Sequence, residues 1–494
     1  MIPGRGRGVA LALCGATLLA VLIPSGFAEL LTRIASFFLS VFGGWTLLLA
    51  NLCLLFCAAV CMLPWGRQVI GGTDKVPEFR MLTWIAMMFA AGMGAGLVFW
   101  GAAEPLIHFA SPPPGEGIEP LTDEARRRSL AITQFHWGLH AWAIYAAATI
   151  AIALSAKSGK PPLPSTAFPG LPAPAARVVD LIALLAVVFG LVASLGQGAF
   201  QVSAGVGVIV PGLEAGPSVQ LGFLLLLSAA FLTSAALGLR RGIALLSNVN
   251  MVLAGVLLLF LLIVAPAGDV AAALWESAAG YVTDIPGLSV TLRAAGEARA
   301  WTDAWSLVYF LWWVAWTPFV GVFLVRISRG RSLRAFVLAA VGAPSLLTLL
   351  WFAVLGGAAL GLQEGGMDLG VADFATAPLA TYTLLEAFPF SVLMQIVTVL
   401  LVSFFLVTSA DSGAYVIAMF AEQTTDPSLR GRLLFGAVLS LLTLAAILSE
   451  GGQTTTRAMA VAGGIPLTAL LGAQVVSAAV RLSRTGRHAG ATKE

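Results

Sequence analysis

The chain has 494 residues, of which 59% are hydrophobic and only 10% are charged. Soluble domains carry about 25% charged residues, so the composition excludes a soluble globular protein and predicts an all-α membrane protein. The net charge of +3 is small and follows from the membrane topology, so it indicates no nucleic-acid partner.

Apolar runs recur along the whole sequence, and each is long enough to cross ~30 Å of hydrocarbon. They predict about twelve transmembrane helices, at residues 8–28, 41–63, 81–103, 129–155, 178–208, 218–238, 243–265, 303–326, 334–362, 389–421, 433–449 and 458–480. Several of these spans exceed about 25 residues, which indicates tilted or broken helices.

The basic residues are distributed unevenly among the connections. If both termini are cytoplasmic, the inner connections hold most of the 27 lysines and arginines, as expected for a protein of the cell inner membrane. The connections 266–300 and 363–388 are then external and net acidic. Arginines 126–128 go against this rule and adjoin the acidic pair 123–124, so we expect local ion pairs there.

Two spans contain residues that interrupt helices. The third span has three glycines within Gly92–Gly96, and glycine costs about 1 kcal/mol against alanine in a helix interior. In the eighth span, Pro318 removes one helical hydrogen bond. Helix packing and an ordinary kink are the alternatives, but both breaks lie at the start of five-span halves, helices 3–7 and 8–12. That placement favours an inverted-repeat transporter.

Aromatic residues gather near the centres of the fourth and eighth spans, away from the membrane interfaces that tryptophan prefers. They are Trp137, Trp142 and Tyr145, which share a helix arc of roughly 140°, and Trp312, Trp313 and Trp316. Aromatic faces attract a quaternary ammonium by ~0.5–2 kcal/mol each. The two groups therefore predict a cage for such a cation, with bulky helix packing as the alternative.

Two histidines of the fourth span, His136 and His140, have the i,i+4 spacing of a metal-binding helix. An intramembrane metalloenzyme would need further ligands, for which His108 and Glu104 are the nearby candidates. We favour packing and interhelical hydrogen bonds for these histidines.

The tenth span has two adjacent hydroxyls, Thr408 and Ser409, followed by the acid Asp411. Hydroxyls together with free carbonyls of a broken helix suit a dehydrated sodium ion, because hard cations take oxygen ligands. Interhelical hydrogen bonding is the alternative. For Asp411, we expect a hydroxyl or a basic residue as partner.

At these residues the sequence resembles the betaine/choline/carnitine transporter family, from about residue 8 to 480. The most specific stretch is WWVAWTPFVGVFLVRISRGR at 312–331. Supporting stretches are PEFRMLTWIAMMFAAGMGAG (77–96), FWGAAEP (99–105), FHWGLHAWAIYA (135–146), LSNVNM (246–251) and TSADSG (408–413).

The resemblance implies a LeuT-like five-plus-five inverted repeat preceded by two extra helices, alternating access, and a homotrimer in the lipid membrane. The corresponding segments are 1–76 with two peripheral helices, 77–265 as the first repeat, 266–300 as a periplasmic connection, 301–480 as the second repeat, and 481–494 as a short cytoplasmic tail.

The resemblance also implies residue roles. The aromatic box would consist of Trp137, Trp142, Tyr145, Trp312, Trp313 and Trp316. The substrate carboxylate would lie near the backbone of Gly92, Met93, Gly94, Ala95 and Gly96. A sodium ion would be held by the carbonyls of Ala90, Met93 and Phe405 and the hydroxyls of Thr408 and Ser409.

A second family sodium site is not expected here. Phe319 matches its aromatic member, but its two threonine positions appear as Val187 and Leu191, which offer no oxygen. Sodium-independent members have an arginine in the retained site, and this chain has no arginine between Arg177 and Arg240. We therefore expect coupling to one sodium ion and no other cofactor.

Choline-carrying members tend to have an acid where this chain has Gly96. A zwitterion brings its own counter-charge, so the resemblance favours import of glycine betaine. Carnitine, choline or dimethylsulfoniopropionate transport, proton coupling and exchange are the alternatives within the family. A channel or a receptor using the same cage is the alternative from another class, and no enzyme activity is expected.

Overall fold

The computed structural model of the chain describes residues 4–72, 75–92, 94–156, 160–237, 240–290, 296–449 and 451–491. These residues form an all-α bundle, in which the only strand-like pairing described is an isolated bridge between Val69 and Ser332. The helices are α1 Gly4–Leu22, α2 Pro24–Met62, α3 Met81–Gly92, α4 Ala95–Ala110, α5 Asp123–Trp137, α6 Leu139–Ala153, α7 Ala173–Ile209, α8 Pro217–Leu237, α9 Arg240–Val264, α10 Ala267–Val290, α11 Gly296–Thr302, α12 Val308–Ile327, α13 Leu333–Val337, α14 Ala343–Glu364, α15 Ala380–Glu386, α16 Ser391–Glu422, α17 Leu429–Leu448 and α18 Gly452–Ala491.

Nine continuous helical stretches in the described part are long and apolar enough to cross a membrane. The shorter apolar helix α1 and the two interrupted pairs α3–α4 and α5–α6 account for the other predicted spans. The predicted fold class, a multi-helix all-α membrane protein, is thus confirmed. Because successive spans alternate in direction, α10 and the beginnings of α5 and α11 lie at one end of the bundle. We call this the α10 end; the beginning of α1 and the end of α18 lie at the opposite end.

The first two helices differ from their predicted bounds. The sequence predicts a connection between residues 28 and 41, but α2 already begins at Pro24 and continues for 39 residues. Only Ile23, with φ −135° and ψ 64°, separates it from α1. Proline is favoured at the first position of a helix, where its missing N–H is not needed, so Pro24 starts α2 directly after α1.

The third span is interrupted where its glycines predict, because α3 ends at Gly92 and α4 begins at Ala95. The fourth span is also interrupted, which the sequence analysis did not predict. Gly138 ends α5 and precedes α6, with φ −93° and ψ −139°. A Cβ atom on Gly138 would lie 2.5 Å from the carbonyl oxygen of Gln134 and 3.1 Å from the ring of Tyr281 on α10, so a larger residue does not fit this break without a backbone shift.

The predicted interruption at Pro318 is wrong, because α12 is continuous from Val308 to Ile327. The carbonyl of Val314 is the one that loses its helical partner at a proline four residues later. Here the hydroxyl of Thr317 donates to that carbonyl at 2.7 Å, so the oxygen is satisfied within the helix. The irregular part of this span lies earlier, in the π-helical turn Asp303–Leu307.

The segment 266–300, predicted as an external connection, is largely helical. Helix α10 packs across α5 and α14. Helices α10 and α14 cross closely at Gly357: a Cβ on this residue would lie only 2.6 Å from the Cβ of Ala273. Small residues at such crossings let helix backbones approach each other. The surface helix therefore bridges two spans from different halves of the chain.

The arginines of α5 do not pair locally as expected. The guanidinium of Arg126 contacts Glu276 on α10 at 2.8 Å and Glu364 at the end of α14 at 2.6 Å. Arg128 contacts Glu116 at 2.6 Å and Asp284 on α10 at 2.7 Å. These ion pairs neutralise two of the three arginines that go against the topology rule, and the pairs with Glu276 and Asp284 fasten α10 to the bundle.

The interior of the bundle is formed by α7, which packs against α16 and α18, and by α12, which packs against α6, α7 and α18. The broken helices α3–α4 and α5–α6 adjoin α12 and α14. At the α5–α6 break, the released backbone groups bond to other helices, because the carbonyl of His136 accepts from Trp313 and the amide of Leu139 donates to Tyr281.

Candidate functional site

Trp313 of α12 is the centre of an aromatic cluster formed with α5 and α6. Its ring centroid lies 5.6 Å from that of Trp137, 5.4 Å from that of Trp142 and 4.9 Å from that of Tyr145. Trp137 is the last residue of α5, whereas Trp142 and Tyr145 follow the break at Gly138. The break therefore lets rings from two helix segments surround one indole.

A cavity of about 70 Å³ adjoins this cluster. Its lining includes seven of the predicted site residues, namely Gly94, Gly96, Trp137, Tyr145, Trp312, Trp313 and Trp316. Trp142 is not among the described lining residues; it packs behind Trp313 and stacks on Phe89 at 6.3 Å. The site-residue predictions are thus brought together in space, apart from Trp142 and the residues near the third-span break that are treated below.

The lining also includes four residues that the sequence analysis missed: Trp100, Ser194, Gln197 and Tyr309. Tyr309 could have been found, because it lies three and four residues before Trp312 and Trp313 on the same helix face. Ser194 and Gln197 come from α7, and no local pattern in the sequence indicates that they face α12.

Hydrogen bonds fix the indole rings by their N–H groups. Trp312 donates to the hydroxyl of Ser194 at 3.2 Å, and Trp316 donates to the carbonyl of Gly190 at 3.3 Å. Trp313 donates to the carbonyl of His136 at 3.1 Å. With their polar atoms held in this way, the rings offer only π faces and edges, and π faces are the parts that attract a cation.

The break in the third span supplies the polar side of the cavity. Gly94 is the N-cap residue of α4 and makes no side-chain cap, so the first amides of α4 lack a capping side chain. Such a helix N-terminus is a favourable place for an anionic group. A Cβ on Gly96 would lie 3.2 Å from Cη2 of Trp137, which shows how closely this backbone approaches the ring. Met93 lies outside the described residues.

The predicted sodium ligands on α16 are partly described. The helix is continuous here, and the hydroxyl of Thr408 donates within it to the carbonyls of Phe404 and Phe405, at 2.9 and 3.0 Å. A hydroxyl that donates in this way keeps its lone pairs for a cation, and the carbonyl of Phe405 is a predicted ligand itself. Thr408, Phe405 and Ser409 are thus neighbours on α16, and their role as sodium ligands stays a prediction. The contribution of Ala90 and Met93 stays a prediction.

A buried carboxylate outside the described lining is hydrogen-bonded to two residues that line the cavity. Glu104 of α4 is fully buried and accepts hydrogen bonds from Nε1 of Trp137 at 2.7 Å and from the hydroxyl of Tyr309 at 2.6 Å. It also shares a hydrogen bond of 2.6 Å with Nδ1 of His136. The sequence places Glu104 and His136 on different spans, so their pairing could not be read from spacing.

The metal-site alternative for His136 and His140 is not supported by the geometry. His140 is turned away, towards the hydroxyl of Tyr281 at 3.3 Å and the side chain of Asn51 at 3.2 Å. Polar atoms of Glu104, His108 and His136 do lie within 4.8 Å of one another. However, ligand atoms around zinc lie about 3.3 Å apart, and the 2.6 Å between Glu104 and His136 is a direct hydrogen bond.

An aromatic group closes the cavity towards the α10 end. Trp305 stacks on Phe374 with centroids 4.2 Å apart, and Phe374 meets Trp100 of the cavity edge-on at 5.8 Å. The guanidinium of Arg457 lies 3.5 Å from the centroid of Phe374 and donates to the carbonyl of Ala304. This cover joins three parts of the chain that are distant in sequence.

Asp411 has the kind of partner that the sequence predicts. The hydroxyl of Ser234 on α8 donates to it at 2.6 Å. The acid therefore links α16 to α8 and lies outside the described lining of the aromatic cavity.

Comparison with known proteins gives consistent matches over nearly the whole chain. A sequence profile of the betaine/carnitine/choline family of transporters matches residues 8–487. The chain is 36% identical over 485 residues to the glycine betaine transporter OpuD of Bacillus subtilis (strain 168), which covers 96% of this chain and 93% of that protein. It is 34% identical over 447 residues to a glycine betaine/proline/choline transporter of Vibrio parahaemolyticus, covering 86% of this chain and 80% of that protein.

Proposed function

Because the chain belongs to the betaine/carnitine/choline family of transporters, we propose that it imports a zwitterionic quaternary-ammonium solute, and that glycine betaine is this solute. As a member of this family it is a multi-pass membrane transporter and not an enzyme. The observation that supports the substrate is the cavity in which indole rings of α12 face the uncapped N-terminus of α4.

The two ends of glycine betaine match the two sides of the cavity. Its trimethylammonium group has no N–H donor and is attracted by the faces of Trp313 and Trp316. Its carboxylate suits the first amides of α4, next to Gly94 and Gly96, because a helix N-terminus favours negative charge. Choline would leave this N-terminus without an anion, which favours the zwitterion. The names of the similar transporters agree with this choice.

We propose that import is driven by one sodium ion bound at Thr408, Ser409 and the neighbouring carbonyls. The hydroxyl oxygen of Thr408 lies 3.0 Å from the carbonyl oxygen of Phe405, so two of the proposed sodium ligands are already adjacent. At the second sodium site of the family, the two threonine positions are Val187 and Leu191 in this chain. Both side chains are apolar, 1% exposed and packed inside the bundle. An additional sodium ion would find no side-chain oxygen at these two positions.

The proposed orientation has both termini in the cytoplasm and the α10 end outside the inner membrane. In that orientation, the two five-helix repeats would move against each other around the cavity and alternate its access. We further propose a homotrimer that uses α10. This helix exposes large apolar side chains, with Trp275 at 73%, Val282 at 71% and Val290 at 78% exposure, and such patches are typical of contact surfaces.

Uptake of radiolabelled glycine betaine into proteoliposomes tests the proposal, with and without an inward sodium gradient. We expect accumulation that requires the gradient. Trp316→Leu should weaken apparent affinity roughly 2- to 30-fold, the value of one cation–π contact. Trp316→Phe retains a π face and serves as the matched control, with a smaller loss. Accumulation that ignores sodium would contradict the coupling, and absence of any betaine uptake would contradict the substrate.

A further inference from the structure

The pair formed by Glu104 and His136 has no role in binding the two ends of the substrate. Both side chains are fully buried. Glu104 accepts hydrogen bonds of 2.7 and 2.6 Å from Trp137 and Tyr309, and it shares one of 2.6 Å with Nδ1 of His136. Bonds this short to a carboxyl group are typical of an ionised acceptor. An isolated negative charge is costly at this depth of a membrane. A proton on His136 makes the pair neutral, so one proton decides its charge.

A polar path connects this pair to the α10 end. The second ring nitrogen of His136, Nε2, lies 2.8 Å from the hydroxyl of Ser306 in the π-helical turn. Ser306 also lines a cavity of about 100 Å³, together with Glu116 and Arg128. A buried water needs only about 10–15 Å³ of such space, so several waters fit. The side chains of Arg128 and Glu116 are 19% and 16% exposed, so the cavity reaches the polar surface.

This path allows proton transfer without the substrate route. Ser306 can give its hydroxyl proton to Nε2 of His136 and take one from a cavity water, which leaves hydroxide to be neutralised from the surface. The reverse transfer returns the proton. The aromatic cover of Trp305 and Phe374 is a separate structure and does not have to open for either step.

His108 is a second candidate for holding the proton. Its side chain is fully buried, and neither ring nitrogen has a hydrogen-bond partner among the described residues. Nε2 of His108 lies 3.7 Å from Oε1 of Glu104, so a small movement would bring it into hydrogen-bond range. An unsatisfied imidazole beside a shared carboxylate indicates that the site has more than one proton arrangement.

Few other charges act on the pair. Tyr309 faces it from α12, and Arg128 of α5 acts on His108 from the cavity. Arg457 of α18 acts through Tyr309. On the face of α14 towards α4, Leu355 packs on Gly101 and the indole N–H of Trp351 donates to the carbonyl of Leu97 at 2.8 Å. Protonation of the pair thus responds mainly to its own members and to what occupies the neighbouring cavity.

We propose that the Glu104–His136 pair is a proton site whose occupancy is coupled to the substrate through Trp137. This inference rests on the proposed function, because it requires a cation in the cavity that Trp137, the indole held by Glu104, helps to line. A cation in this cavity favours the charge arrangement in which Glu104 is negative and His136 is neutral. Substrate binding therefore releases a proton through Ser306, and linkage requires that protonation weakens substrate binding in turn.

The chain has only four histidines, which makes a direct test possible. The full-length protein, labelled with 15N-histidine in lipid nanodiscs, is titrated by NMR over roughly pH 5 to 9, the range in which imidazoles change charge. Each signal is assigned by a single substitution, such as His136→Gln. We expect saturating glycine betaine with sodium to increase the neutral fraction of His136 at fixed pH.

His140→Gln is the matched control, because it removes a buried histidine of the same span that is bonded to Tyr281 and Asn51. We expect the His136 response to survive in it and to be lost in Glu104→Gln. A His136 signal that stays in one protonation state throughout, with or without betaine, would overturn the proton site.

Quenching of tryptophan fluorescence in the same samples reports betaine binding. A titrating His136 that ignores bound betaine would overturn the coupling. Absence of binding would instead contradict the proposed substrate, while the titration without ligand still decides whether the proton site exists.

Discussion

The indole N–H of Trp137 and the carboxylate of Glu104 are joined by a hydrogen bond of 2.7 Å, although they lie on different spans. An aromatic ring of the cavity is therefore positioned by an acid that does not itself line the described cavity. The same carboxylate holds the hydroxyl of Tyr309 at 2.6 Å, so two lining residues depend on one buried group.

Replacement of Glu104 by leucine should destabilise the protein as well as impair transport. It leaves the donors of Trp137 and Tyr309 buried without an acceptor, and each such group costs about 1–3 kcal/mol. Glu104→Gln keeps a side-chain oxygen and should retain most of the stability. Thermal unfolding in detergent, followed by intrinsic fluorescence, compares the two. A leucine variant as stable as the glutamine variant would show that this carboxylate does not hold the rings.

Gly96→Ala should raise the KM for glycine betaine. The added Cβ would lie 3.2 Å from Cη2 of Trp137, so the ring must shift by a few tenths of an ångström. Gly222→Ala is a matched control in α8, because a Cβ there meets nothing within 4 Å. Initial uptake rates over a range of betaine concentrations measure the effect. Equal KM values for the two variants would mean that the contact with Trp137 does not set affinity.

Thr408→Val should weaken sodium dependence more than substrate binding. It removes one proposed oxygen ligand and keeps the shape of the side chain, so we expect about tenfold more sodium for half-maximal uptake. That corresponds to about 1.4 kcal/mol. Ser403→Ala is the control on the same helix, because its hydroxyl only donates to the carbonyl of Val399. An unchanged sodium requirement in Thr408→Val would place the ion elsewhere.

Arg126→Gln should lower the melting temperature. The side chain of Arg126 is only 7% exposed and holds Glu276 and Glu364, so its loss leaves two carboxylates without their cation. Because both glutamates are partly exposed, the cost should stay below the ~3–5 kcal/mol of a fully buried pair. Arg33→Gln breaks an exposed pair with Glu29 and should change nothing measurable. Equal melting temperatures would argue against a fastening role of α10.

The sequence was informative wherever a local property decides the structure. The membrane spans follow from runs of apolar residues, and the break of the third span follows from the glycines of Gly92–Gly96. The rings around Trp313 were predicted because their helix positions and the family motifs place them near the membrane centre.

Features that depend on distant residues were missed or misplaced. Pro318 does not break its helix because Thr317 replaces the lost hydrogen bond. Gly138 does break its helix, and the amide of Leu139 after the break donates to the hydroxyl of Tyr281 on α10. The ion pairs of Arg126 and the bond between Glu104 and His136 likewise join separate spans. One sequence without its packing partners does not contain these distances.

The break at Gly138 divides the aromatic cage into two parts that are joined by one hinge residue. Trp137 lies on α5 and Tyr145 lies on α6. A small rotation at Gly138 therefore changes the distance between the two rings, while each helix keeps its own hydrogen bonds. The first amide of α6, that of Leu139, donates to the hydroxyl of Tyr281 on α10 at 3.1 Å. A molecule that binds α10 from outside the bundle thus acts on the position of α6, and through it on the cage, without entering the transport route.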